Sequence, residues 1–232
     1  MKDAFLVTGP RGAYALSFLL AVLNSRLLSF WYLSTFTSVD VHLNEVIRLP
    51  IRRIDFTTPA VERKRFAEKW RELFETAVGG DQSTELTRSA EEHLAANRTD
   101  VIHDMLAFLA ERMMAMNKEK QVAARGFLND LKDFHGVDAH SLKPKTQLDE
   151  FWKLAVSDVF THFKANTKTL AAQGVRLKET DEESVRARFQ KAADVLVPLE
   201  TRIAFADRLI DQIVSKLYGL TTEEIAIVEG AS

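Results

Sequence analysis

Arginine and lysine are spread unevenly along this chain, and their positions define the chemistry open to it. Arg48, Arg52 and Arg53 bracket Pro50, and Arg63, Lys64 and Arg65 follow soon after. Lys118, Lys120 and Arg125 cluster further on, and Lys143 and Lys145 flank Pro144. On a regular helix such residues are most simply a solvated face. At an irregular corner or a helix start, cations free of carboxylates can reach phosphate oxygens or a guanine edge. The Pro50 corner fits this best. Arg52 and Arg53 are adjacent in a segment read as extended, so their side chains point to opposite faces. One can face a nucleic acid while the other packs or pairs with Asp55, and Arg48 joins whichever face is used. The candidate DNA-binding residues are Arg48, Arg52, Arg53, Arg63, Lys64, Lys118, Lys120 and Arg125.

Other chemistries find little here. There is no cysteine, so a thiol nucleophile, a disulfide scaffold and an iron–sulfur cluster are excluded. Gly9-Pro10-Arg11-Gly12 reads as a turn and lacks the Lys-Ser/Thr of a phosphate loop. No G-x-S-x-G or H-E-x-x-H pattern occurs. His135 and His140 share a loop without a third ligand at a supporting spacing. His103-Asp104 is a pair of the kind used by metal phosphohydrolases, but it stands alone, and Asp104 also suits a helix first turn. Catalytic, cofactor-binding and metal-binding residues are all expected to be absent.

The elements that must position these cations are helical. Lys2–Thr8 reads as a short strand ending at Gly9-Pro10. Tyr14 to about Phe36 reads as one buried helix. Leu43–Ile47 reads as a short helical turn. Leu49 cannot be helical before Pro50, so an extended exit follows. Pro59 starts a helix bearing Phe66, Trp70, Leu73 and Phe74, and Gly79-Gly80 ends it. Ser83–Ala96 forms another. Asn97, with Asp100 in the box position, is expected to cap the longest helix, from Arg98 to about Phe134. Its stripe runs Val101, Met105, Leu109, Met113, Met116, Ala123, Phe127, Leu131, Phe134, and needs a partner helix. Packing explains its Met113–Met116 stretch better than a promiscuous groove does. Gln147–Ala172 reads as helical and aromatic-rich. Thr180-x-x-Glu183 opens a run that Pro198 kinks or breaks, and Gly219 stops its continuation. Thr221-x-x-Glu224 boxes a last short helix, Thr222–Val228.

At 232 residues, 46% of them hydrophobic and 28% charged, the chain can bury a sizeable core, and wholesale disorder is excluded. A net charge of −2 excludes a uniformly basic nucleic-acid binder but not a local basic face. The apolar stretch Ala13–Phe36 is interrupted by Asn24, Ser25 and Arg26, and its uncharged part falls short of the roughly 20 residues of a membrane span. No membrane association and a cytoplasmic location are expected.

Five segments together resemble one family. LLAVLNSRLLSFWY (Leu19–Tyr32) followed by VIRLPI (Val46–Ile51) resembles the end of a TaqI-like C-terminal specificity domain. VIHDMLAFLAERMMAMNKEKQ (Val101–Gln121) with GFLNDL (Gly126–Leu131) is similar to the helical extension after such domains. LVPLETRIAFADRLIDQIVSKLYGLTTEEIAIVEG (Leu196–Gly230) resembles their extreme C-terminus, through Asp207, Ile210-Asp211, Leu217-Tyr218-Gly219-Leu220 and Val228-Glu229-Gly230. These modules close type IIG-like restriction–modification enzymes, in which an adenine-N6 DNA methyltransferase is fused to its target-recognition region.

The resemblance implies a mainly α fold. Residues 1–57 would be a small mixed α/β remnant of a recognition domain, and 58–232 a helical bundle with long antiparallel helices. It implies double-stranded DNA as partner within a complete enzyme, together with a methyltransferase domain or subunit. The departures matter equally. The Asn-Pro-Pro-aromatic motif, the Gly-rich loop for the methyl donor and the nuclease P-D…(D/E)-x-K pattern are all missing, and Ser215 stands where the family has Tyr. The chain therefore reads as a non-catalytic DNA-recognition and scaffold portion, the C-terminal remainder of a larger enzyme. Phe18, Phe30, Trp31 or Tyr32 should then be partly uncovered. The other reading is a structural helical docking module that touches no DNA.

Overall fold

The computed structural model describes residues 14–36, 42–77, 83–175 and 179–230. Ten α-helices follow one another in these residues: α1 (Leu16–Leu23), α2 (Arg26–Thr35), α3 (Leu43–Val46), α4 (Ala60–Thr76), α5 (Ser83–Ala95), α6 (Thr99–His135), α7 (Val156–Ala165), α8 (Thr167–Ala172), α9 (Glu179–Tyr218) and α10 (Thr222–Gly230). No strand occurs among the described residues, which overturns the expected mixed α/β N-terminal piece. The strand read at Lys2–Thr8 and the stop at Gly79-Gly80 lie outside the described residues. No single described helix is long and apolar enough to cross a membrane.

The chain divides into two compact units, and α6 and α9 contribute to each. The first comprises the chain through Met114 and from Ala204 onward. Its N-terminal stretch is two helices rather than one, bent by 61°. Ser25 causes the break. Its hydroxyl donates to the Val22 carbonyl and accepts from the Leu28 N–H, so it closes α1 and caps α2. Phe18 is fully buried, while Phe30, Trp31 and Tyr32 are half-buried. Trp70 and Phe74 on α4, Leu86 and Ala90 on α5, and Leu106 and Leu109 on α6 supply much of the unit's core, with Ile213 and Leu217 on α9.

Asn97 does not cap α6. It takes a left-handed φ of 56°, with its N–H bonded to Leu94 and the Arg98 N–H to His93. That is a helix-terminating motif for α5, in which Asn tolerates the conformation glycine usually fills. Gly219 ends α9 in the same way, and Thr221 and Glu224 form the expected reciprocal cap of α10.

The second unit is Ala115–Ile203. Its core is aromatic: Phe127, Phe151, Trp152, Phe160, Phe163 and Phe189 pack with Leu131, Leu148 and Leu196. Here α6 and α9 run antiparallel, since Asp130 pairs with Arg188 while His135 meets Ser184. Pro198 sits within α9 without ending it, which makes α9, at 40 residues, longer than the 37 of α6. Leu196 and Leu199 are buried on either side of that proline. Apolar packing offsets the hydrogen bond lost to the missing N–H. Gln147–Ala172 is less regular than its pattern suggests: a single 3-10 turn at Phe151–Lys153 precedes α7 and α8. Phe134 leaves the buried stripe and is exposed, with the Arg188 guanidinium 3.9 Å from its ring centroid.

Candidate functional site

The segment from Pro50 to Thr58 is extended but pairs with no strand. Its backbone groups still need partners, and side chains of the surrounding helices supply them. The Tyr218 hydroxyl donates to the Pro50 carbonyl at 2.8 Å and accepts from the Arg52 N–H at 3.0 Å. The Ile54 N–H donates to the Tyr14 hydroxyl at 2.7 Å, and the Asp55 N–H to Thr99 Oγ1 at 3.2 Å. Asp100, which is 0% exposed, accepts from both the N–H and the hydroxyl of Thr58 at 2.7 Å each. Ile54 points inward and is buried. Burial pushes the Tyr218 phenol up, against the Arg52 N–H and charge that favour its ionised form.

Three arginines project from this pinned corner, and all are exposed. The Arg52 side chain engages no carboxylate among the described residues. Arg53, 91% exposed, lies 3.8 Å from an equally solvated Asp55, a pairing worth little in water. The Arg48 guanidinium lies 5.3 Å from the centroid of the Phe36 ring, and its charge also acts on the Glu45 carboxyl. Tyr32 and Glu45 brace the neighbouring helices, with the Tyr32 hydroxyl donating at 2.6 Å. That bond, with the His42 N–H, holds the Glu45 carboxyl below its usual range.

The remaining predicted cations fare differently. Arg63 is committed: its Nε lies 2.8 Å from Asp104, and its guanidinium lies over Phe56. Asp104 also meets His103 Nδ1 at 2.8 Å, and His103 Nε2 accepts from the Ala15 N–H at 2.9 Å. His103 is buried among Tyr14, Phe18 and Phe56. The His-Asp pair is thus a structural relay from Arg63 to the start of α1. Among the described residues, no group of three His, Asp or Glu could hold a metal ion. Lys64 has an exposed partner one turn on, Glu68.

Lys118, Lys120 and Arg125 belong to the second unit, on α6. Lys118 and Arg125 are exposed. The Lys120 ammonium lies 5.7 Å from the Trp152 ring centroid, beside a shallow hollow that Arg125 also lines. The Trp152 indole N–H donates to Glu200 at 2.9 Å, and Lys153 pairs with Glu200 at 3.1 Å. Burial alone would raise the Glu200 carboxyl; these two bonds outweigh it and hold the group low.

Reading the sequence misses the residues that make the corner rigid. Tyr14 and Tyr218 carry no motif of their own, and Asp100 looks like a cap for its own helix. The only signal is that an extended segment without a β partner requires side-chain acceptors and donors from elsewhere. The same reading passes over Lys69, His93 and Arg98, which meet between α4 and α5.

Two of the resembling segments come together in space. The Arg26 N–H, just after Leu23-Asn24-Ser25, donates to Asp211 Oδ1 at 2.8 Å, and its guanidinium pairs with Oδ2 at 3.2 Å. Burial raises the Asp211 carboxyl, against the opposing effect of Arg26. The Leu-Pro-Ile exit meets Tyr218 of the same C-terminal segment.

The family described as "Domain of unknown function (DUF8810)" matches residues 99–214, half of the chain, from the start of α6 nearly to the end of α9. The chain belongs to that family. No curated protein and no solved structure matches it.

Proposed function

We propose that this chain is a non-catalytic DNA-contacting scaffold, the recognition portion of an adenine-N6 methyltransferase system of restriction–modification type, working in the cytoplasm. The observation that carries this reading is the Pro50 corner. Arg48, Arg52 and Arg53 are exposed on a segment whose backbone is held in one place by four hydrogen bonds to the side chains of Tyr218, Tyr14 and Asp100. Phosphate recognition favours cations whose backbone is fixed before binding, because less conformational freedom is lost on contact. The meeting of the Leu-Asn-Ser and Leu-Tyr-Gly-Leu segments supports the same assignment. Strand opening and methyl transfer would belong to a methyltransferase domain or subunit, since extruding a base needs a pocket for it.

A second reading has its own support. Leu33, Leu43, Ile47 and Val61 are exposed, with Ile47 at 75%, and they lie on α2, on α3, just after α3 and at the start of α4. Apolar exposure of this kind suits a protein partner and would make the chain a docking module. Fluorescence anisotropy of a labelled duplex, titrated with the full chain at several salt concentrations, separates the two. Binding that weakens linearly in log salt is expected. Absence of duplex binding at low salt would leave the docking reading.

A further inference from the structure

Between α4 and α5 lies a cavity of about 330 Å³ with an unusual lining. Arg65 and Lys69 enter it from successive turns of α4, and Arg98 enters from the turn after α5. None of the three pairs with a carboxylate among the described residues. The one acid in the lining, Glu92, is solvated and lies 3.8 Å from Arg88 one turn back, so its charge opposes the three cations only weakly. Phe66 forms an apolar wall, with the Arg65 and Arg98 guanidinium groups 5.4 and 5.0 Å from its ring centroid. The Ser89 hydroxyl adds a donor.

His93 gives the cavity its chemistry. It is 8% exposed, lies 4.6 Å from Phe66 by ring centroids, and its Nδ1 has no hydrogen-bond partner. Its Nδ1 is enclosed by protein, so the rest of the ring is what borders the cavity. Three unneutralised cations converge on the same space. A tetrahedral dianion suits this lining, because it accepts from imidazole, hydroxyl, ammonium and guanidinium donors.

We propose that this cavity is a phosphate-binding site, in which Lys69, Arg98 and His93 hold the phosphate group of a phosphomonoester or of a nucleic-acid backbone. The groups acting on the His93 ring are Arg65 and Lys69 of α4, Glu92 beside it, Arg98, and Asp100 of α6. Burial, then Arg98, lowers the His93 ring below its ordinary range and so favours its neutral form. A bound dianion opposes both effects and draws a proton onto the ring. Anion binding and His93 protonation are therefore linked.

The test is NMR of the full chain titrated with inorganic phosphate at constant ionic strength, following the His93 ring signals, which His93→Gln assigns by their loss. The expected result is a saturable shift and a rise in the His93 pKa of about one unit with phosphate bound. Lys69→Gln/Arg98→Gln should weaken phosphate at least about tenfold while the backbone amide spectrum stays folded. Adding duplex DNA then distinguishes the source. Displacement of phosphate assigns the site to a nucleic-acid backbone, and coexistence assigns it to a small phosphomonoester. No saturable shift, an equal shift with chloride, or undiminished phosphate binding in the double variant would overturn the site. None of these outcomes depends on the Pro50 corner, whose arginines remain intact throughout.

Discussion

The two compact units are held together by different physics. In the first, much of the positional information comes from polar side chains reaching distant backbone: Asp100 to Thr58, Tyr218 to Pro50 and Arg52, Asp211 to Arg26, and His103 to Ala15. In the second, aromatic rings fill the core and polar clamps are few. The main one is Asn166, whose amide pairs with both the N–H and the carbonyl of Lys143. Apolar packing stabilises without direction, whereas hydrogen bonds fix individual groups. The polar unit is accordingly the one with a pinned corner able to present arginines in a fixed geometry.

The contrast can be broken most severely in the aromatic unit. Phe151 is fully buried against Phe127, Trp152 and Phe189. Phe151→Ala should cost about 3–5 kcal/mol, read as a lowered urea midpoint. A cost near zero would mean that these rings do not form a tight core.

Next comes the polar unit. Asp100→Ala strands the N–H and hydroxyl of Thr58 and should cost about 2–3 kcal/mol. It should also loosen the Pro50 corner, seen as faster amide exchange at Asp55 and Thr58, an effect Phe151→Ala should not reproduce. Unchanged exchange there would show that the corner is held by something other than this carboxylate.

A smaller effect is shared by both units. Burial lowers His93 in the first, with Arg98 adding to it, and lowers His162 in the second by desolvation. In the fold both take up a proton less readily than in the unfolded chain, where histidine titrates near pH 6.5. Their contribution is complete above that pH and is lost as pH falls through the lowered folded values. Urea midpoints should therefore fall between about pH 7.5 and about pH 5.5, and less steeply in His93→Gln and His162→Gln. Parallel pH profiles in wild type and variants would contradict this.

Much of the helical order is legible in the chain. Apolar steps of three and four residues place α4, α6 and α9, and Gly219 with Thr221 and Glu224 marks the last turn. The extended exit at Pro50 follows from the restriction proline puts on Leu49. Three features escape for identifiable reasons. Ser25 competes for local backbone groups and splits a run that hydropathy alone reads as continuous. Pro198 is carried inside α9 because burial of Leu196 and Leu199 outweighs one missing hydrogen bond. The mixed α/β piece is what the family resemblance implies, but no strand occurs among the described residues, and a lone sequence does not show that Tyr14, Tyr218 and Asp100 replace a β partner for the extended exit. Of the candidate cations, Arg63 is indistinguishable by type from Arg52; only its 2.8 Å pairing with Asp104 separates them.

The central claim is that the arginines of the Pro50 corner touch DNA backbone. Its most direct test is the salt dependence of duplex binding by wild type and by Arg48→Ala/Arg52→Ala/Arg53→Ala. Each lost phosphate contact should reduce the slope of log affinity against log salt by about 0.9, so Arg48 with one of Arg52 and Arg53 predicts a change of about 1.8. An unchanged slope in a folded triple variant would contradict the claim and remove this corner from any DNA interface.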